Sequence, residues 1–115
     1  MKIEIITEKI VLEELKKKLG AEFNELIKGV VDIEKGIAAV GGELHSDANE
    51  VLLENGSAQK DVWGINIYCE RQGKEDFIEY VSLINIRPLE NNRSMEIQSP
   101  RIREKIKKII DKLIG

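Results

Sequence analysis

Residues 27 to 45, IKGVVDIEKGIAAVGGELH, restrict the fold of this chain more than any other stretch. β-Branched residues flank Lys35-Gly36, and glycine takes the positive φ that a tight hairpin turn requires. A two-residue turn there sets Glu34 opposite Ile37, Asp32 opposite Ala39 and Lys28 opposite Glu43. Strand alternation then places Ile27, Val31, Ile33, Ala38, Val40 and Leu44 on one face, and Lys28, Asp32, Glu34, Glu43 and His45 on the other. A sheet with one apolar face folds only if other elements cover that face.

The remaining sequence supplies the cover. Ile3, Ile5 and Ile6 read as an N-terminal strand, and Thr7 suits the N-cap of a helix starting at Glu8. Val11, Leu12, Leu15 and Leu19 carry helical spacing, Gly20 is a stop signal, and Phe23, Leu26 and Ile27 extend the pattern or form a second turn. Asp47 and Glu50 form a capping box for a short helix over residues 48 to 54, closed by Asn55-Gly56. Residues 62–70 and 76–87 read as a second antiparallel pair. Trp63, Ile65, Ile67, Cys69, Ile78, Tyr80, Ile84 and Ile86 would lie on its apolar face, and Asn66, Tyr68, Glu70, Glu79, Asn85 and Arg87 on its polar face. Ser99 and Pro100 start a C-terminal helix whose apolar stripe is Ile102, Ile106, Ile109, Ile110 and Leu113.

These elements predict a single α+β domain over residues 1 to 115. It would have a mainly antiparallel sheet of two β-hairpins plus the N-terminal strand, packed on one face by helices and open on a polar face. The size allows one core. No apolar run is long enough for a bilayer, and the charged N-terminus is unlike a secretory signal, so no membrane partner and a cytoplasmic location are expected. Cys69 is the single cysteine, which excludes an intramolecular disulfide and multi-cysteine metal sites. The net charge of -3 hides an acidic body and a basic end, since residues 87–115 carry 8 Lys/Arg against 4 Asp/Glu. Abundant Ile with frequent Lys and Glu fits a heat-adapted source.

Two stretches can carry chemistry. In GGELHSD, strand alternation would project Glu43, His45 and Asp47 to one side, an imidazole and two carboxylates able to hold a divalent metal and activate water. Asp47 as a helix cap and Glu43 paired with Lys28 is the competing structural reading. INIRPLENNRS offers Asn85 and Arg87 at a strand end, then Asn91, Asn92 and Arg93 from a loop, a set suited to planar anions. Turn formation, and pairing of Arg87 with Glu70 or Glu79, compete there. Cys69 falls on the apolar face and Ser46 and Ser57 lack a nucleophile context, so a nucleophilic hydrolase is disfavoured. Arg101, Arg103, Lys105, Lys107, Lys108 and Lys112 could touch phosphates, with a solvated helix face as the simpler reading.

The ordered set VVDIEKGI, GGELH, LLENGS, WGINIY, INIRP and NRS resembles a small prokaryotic family described only as a domain of unknown function. The resemblance spans nearly the whole chain. Its pattern falls on Asp32, Gly41, Gly42, Glu43, His45, Trp63, Asn66, Asn85, Arg87, Asn91 or Asn92, and Arg93, and it transfers no activity. The leading functional expectation is therefore a binding or interaction module using Glu43, His45, Asn66, Tyr68, Asn85, Arg87 and Arg93, with a homodimer, a small anionic ligand or RNA as partner. The alternatives are a metal-assisted hydrolase of a phosphate-containing substrate, with Glu43, His45 and Asp47 as ligands and Arg87 or Arg93 as clamp, and an RNA-binding protein. The sequence requires no cofactor; a divalent metal is admitted only by the hydrolase reading.

Overall fold

The hairpin forms over β2 (Leu26–Asp32) and β3 (Ile37–Gly41) in the computed structural model, which describes residues 2–21 and 24–115. Its connection has four residues rather than two, because Asp32 lies opposite Ile37 and Val31 opposite Ala38. The cause is the Asp32 side chain. Its Oδ1 accepts the Glu34 and Lys35 N–H groups at 2.9 Å each, building a turn of its own that displaces the tighter one. The register moves by two, so the pairing of Asp32 with Ala39 is lost while the side chains keep their faces.

Asp32 is fully buried, and its second carboxylate oxygen accepts the Ser57 hydroxyl at 2.6 Å, tying the hairpin to the loop after the second helix. Asp32→Ala strands that buried hydroxyl and two backbone donors. It is expected to cost about 2–4 kcal/mol in urea unfolding, and a loss below about 1 kcal/mol would contradict this account.

Three further strands, β1 (Ile3–Ile6), β4 (Val62–Tyr68) and β5 (Ile78–Glu79), complete a five-stranded sheet of order β1-β3-β2-β4-β5 in which every pair is antiparallel. With helices α1 (Leu12–Leu19), α2 (His45–Glu54) and α3 (Pro100–Leu113), the chain has the expected α+β architecture. Leu12, Leu15 and Leu19 of α1 and Ile106, Ile110 and Leu113 of α3 pack with Ile27, Val31, Ala38, Val40, Trp63, Ile65 and Ile67 in the main core. The C-terminal helix begins as expected, with the Ser99 hydroxyl accepting the Ile102 N–H and Pro100 at the first position.

The opposite face departs from expectation. Helices do not pack on one face alone: Ala48 and Leu52 of α2 close a second, smaller core with Val30, Ala39 and Val62, and Ile3, Ile5, Ile37 and Ile84 pack around it. VVDI and IAAV are nearly continuous apolar runs, the pattern of strands covered on both sides rather than on one. Half of the face read as polar is therefore interior.

Local corrections have local causes. α1 begins at Leu12 rather than Glu8, without a Thr7 cap, because Ile10 pairs with Ile114 and its N–H donates to the Leu113 carbonyl at 2.8 Å. Chain-end pairing keeps residues 8–11 out of the helix. Leu26 and Ile27 open β2 instead of extending α1, and Phe23 lies outside the described residues. α2 starts at His45, so Asp47 is in its first turn and not its cap. The strand read over residues 76–87 is reduced to Ile78 and Glu79. Beyond it the chain bends into short 3₁₀ turns at Leu83–Asn85 and Pro88–Glu90.

Candidate functional site

With β5 so short, the outer edge of β4 near Gly64 has no partner strand, and exposed backbone groups there would invite pairing with another chain. Two side chains take the place of a strand. Asn85, fully buried, accepts the Gly64 N–H through Oδ1 at 2.8 Å and donates through Nδ2 to the Gly64 carbonyl at 2.9 Å and the Met95 carbonyl at 3.1 Å. Its amide reproduces what a neighbouring peptide would offer. Arg87 donates to the carbonyls of Ile84, Gln59 and Val62 and lies with its guanidinium 4.4 Å from the Trp63 ring centroid. Burial pushes its pKa down, while Glu90 pulls the other way. Gly64 lets this layer approach: a Cβ there would stand 2.5 Å from the Ser82 Cβ.

Asn92 organises the next turn. It is buried, and its Nδ2 lies 2.7 Å from the Asn85 carbonyl and 2.9 Å from those of Ser94 and Glu96, while its Oδ1 accepts the Gln98 N–H. Asn91 holds a left-handed φ of 59°. Asn85 and Arg87 thus do not join an open polar face as expected; the side-chain bonding of both is spent on backbone. Arg93 is exposed beyond them, with its N–H on Gln98 Oε1 at 3.2 Å.

The GGELHSD residues separate as well. Glu43 lies exposed in the bend between β3 and α2, whereas His45 and Asp47 stand two residues apart in the first turn of a helix and so point to different sides. Among the described residues, no group of three His, Cys, Asp or Glu side chains stands close enough to hold a metal ion. Cys69 is buried, and burial pushes its thiol pKa up, which leaves it a poor nucleophile.

What stays together is a polar row on the open half of the second face. Cross-strand pairing sets Lys28 beside Asn66 and Asn66 beside Glu79. Asn66 Nδ2 donates to Glu79 Oε1 at 2.8 Å and to the Val81 carbonyl at 3.2 Å, and the Tyr68 hydroxyl donates to the same Glu79 oxygen at 3.2 Å. Arg71 lies 4.2 Å from the Tyr68 ring centroid. Burial first, then Glu79, pushes the Tyr68 pKa up, so its hydroxyl keeps its proton. Of the expected binding set, this row holds His45, Asn66 and Tyr68; Lys28 and Glu79, placed on the polar faces by alternation but not in that set, complete it. Their alternation on β2 and β5 was the signal.

His45 projects from the start of α2 onto this row, with Nε2 2.7 Å from the Ile65 carbonyl. A carbonyl only accepts, so the neutral ring carries its proton on Nε2 and leaves Nδ1 bare. Burial, and then the Lys28 charge, hold its pKa below the ordinary 6.5 despite the Ile65 carbonyl and Asn66. The depressed pKa has a sign. The unfolded chain binds the proton more readily, so this contribution to stability is present above pH 6.5 and is lost as pH falls through the folded value. In His45→Gln, chemical unfolding followed from pH 7.5 down to 4.5 is expected to show a shallower acid loss; an unchanged slope would contradict the assignment.

Asn66 Oδ1 is buried, and no hydrogen bond reaches it. It therefore stands as an unused acceptor at the strand position paired with Lys28. No curated protein and no solved structure matches the chain. Residues 4–113 match the model of a family described as a protein of unknown function, DUF5674, and the chain belongs to that family.

Proposed function

We propose that the protein is a binding module that takes a small molecule with an amide-type edge, an N–H beside a C=O, on the row formed by Lys28, His45, Asn66, Tyr68 and Glu79. One observation carries this reading: the buried Asn66 Oδ1 without a donor, set beside Lys28. A buried acceptor left unmade costs about 1–3 kcal/mol, and a ligand N–H would recover it. Both Asn66 protons are already donated, so the ligand supplies the donor, and its carbonyl meets the ammonium. Catalysis is not part of the reading, because the site joins a neutral imidazole to no nucleophile and no metal-ligand set.

Uracil presents such an edge, and 1,3-dimethyluracil is the same ring without N–H donors. Saturation-transfer NMR is expected to show contact with uracil that falls sharply with the dimethyl compound and in Asn66→Leu. Equal transfer to both compounds, or none to uracil, would overturn the proposal.

A second reading rests on a separate observation. Leu83, Ile86, Leu89 and Met95 are exposed, Leu89 fully, within one short stretch. Clustered exposed apolar side chains support self-association into a homodimer. Light scattering at high concentration should then give twice the 13.1 kDa chain mass, reverting to one chain in Leu89→Lys. One chain mass throughout would remove this reading. An RNA contact gains less support, since Lys107 pairs with Asp111 at 2.6 Å, Lys108 with Glu104 at 3.6 Å, and Arg103 donates to the Ile97 carbonyl. No described helix is long and apolar enough to cross a membrane. The cytoplasmic placement belongs to the proposal and rests on Cys69 being the single cysteine, free and buried.

A further inference from the structure

Trp63 is among the residues that line a cavity of about 410 Å³ between the 88–92 turn and the start of α3. Trp63 is only 2% exposed, and its Nε1 has no hydrogen-bond partner. An indole N–H can only donate, and when buried it normally finds an acceptor. The missing partner is thus an acceptor, and the cavity is the space from which one can reach the ring.

The cavity wall specifies more of that acceptor. Its opposite side is the N-terminus of the 14-residue α3, where Ser99 holds the Ile102 N–H, Pro100 has none, and Arg101 brings a free N–H position and an exposed guanidinium. The positive end of a helix favours an anion. Arg87 adds a desolvated cation over the Trp63 ring, bonded to carbonyls rather than to a carboxylate. Glu90, exposed, is the opposing charge in the lining beside Arg101, and Arg87 lies outside that lining against the Trp63 ring. Trp63 and Ile102 supply an apolar wall.

We infer that this cavity binds a small organic carboxylate with an apolar body, its carboxylate accepting from Trp63 Nε1 and facing Arg101 at the helix end. This site is separate from the sheet-face row and does not depend on it. Trp63 is the single tryptophan of the chain, so its fluorescence reports on the cavity alone. Titration with benzoate is expected to change Trp63 emission saturably, with inorganic phosphate giving little change and Arg101→Glu weakening benzoate at least about tenfold. Trp63→Phe, which keeps a ring but removes the donor, should likewise weaken benzoate when followed by calorimetry. Circular dichroism is the check that each variant folds. A linear quench without saturation, an equal response to phosphate, or benzoate binding unchanged in Arg101→Glu would each overturn the inference; should Trp63→Phe not fold, the Arg101→Glu titration decides alone.

Discussion

Gly41→Ala is expected to remove most of the stability of the domain. Gly41 ends β3 at a φ of +103°, a conformation that L side chains rarely adopt, and an added Cβ would stand 2.1 Å from the Lys2 carbonyl oxygen and 2.8 Å from Leu19 Cδ2. The first of these is the backbone immediately before β1, whose Ile3 pairs with Gly41, and the second belongs to the main core. Neither neighbour can yield without opening the sheet edge or displacing α1. Strain and overpacking together predict a loss of about 4 kcal/mol or more, seen as a large fall in the urea midpoint or as failure to fold. Gly36→Ala is the matched control. Its φ of +70° is strained too, but nothing lies within 4 Å of the new Cβ, so about 1 kcal/mol is expected. Equal losses in the two variants would show that the close approach of Lys2 and Leu19 is not what demands glycine.

The second large effect is expected at Asn85. Replacement by Ala removes three hydrogen bonds and strands the Gly64 N–H and carbonyl in the interior, because β5 stops short of that part of β4. A loss of about 3–4 kcal/mol follows from leaving buried backbone groups unsatisfied. The uncapped edge should also raise the tendency to associate through β4. Hydrogen exchange supplies an independent check. The Gly64 amide is expected to exchange as slowly as ladder amides in the parent and to lose that protection in Asn85→Ala. A fast Gly64 amide in the parent would contradict the side-chain cap.

The contrast between these residues and the candidate site shows what was legible in the sequence. Alternation in IKGVVD and IAAVG revealed the hairpin and both faces of each strand, since a turn that is two residues longer preserves side-chain parity. Ser99-Pro100 and the spacing of Ile102, Ile106, Ile110 and Leu113 likewise marked α3. Three features were hidden. Val30, Ile37, Ala39 and Val62 share the face of Lys28 and Asn66, and only the docking of α2 shows that this half is interior. Asn85 and Arg87 have the parity of outward strand residues, yet a side chain that substitutes for a peptide leaves no periodic signature. His45 was recognised as the only imidazole, but its companions were sought along the chain at Glu43 and Asp47, whereas the sheet delivers Lys28, Asn66 and Glu79 from three strands. Cross-strand neighbours depend on register, and single-sequence spacing does not encode register between distant strands.

The division of the second face into a capped, load-carrying half and an open, binding half is the central claim, and mapping a bound ligand on the protein tests it most directly. With uracil added to ¹⁵N-labelled protein, the account predicts amide and side-chain shifts centred on Lys28, His45, Asn66, Tyr68 and Glu79, with Gly64, Asn85 and Asn92 unmoved. Shifts centred on the Asn85 layer, or a spectrum that uracil leaves unchanged, would contradict it.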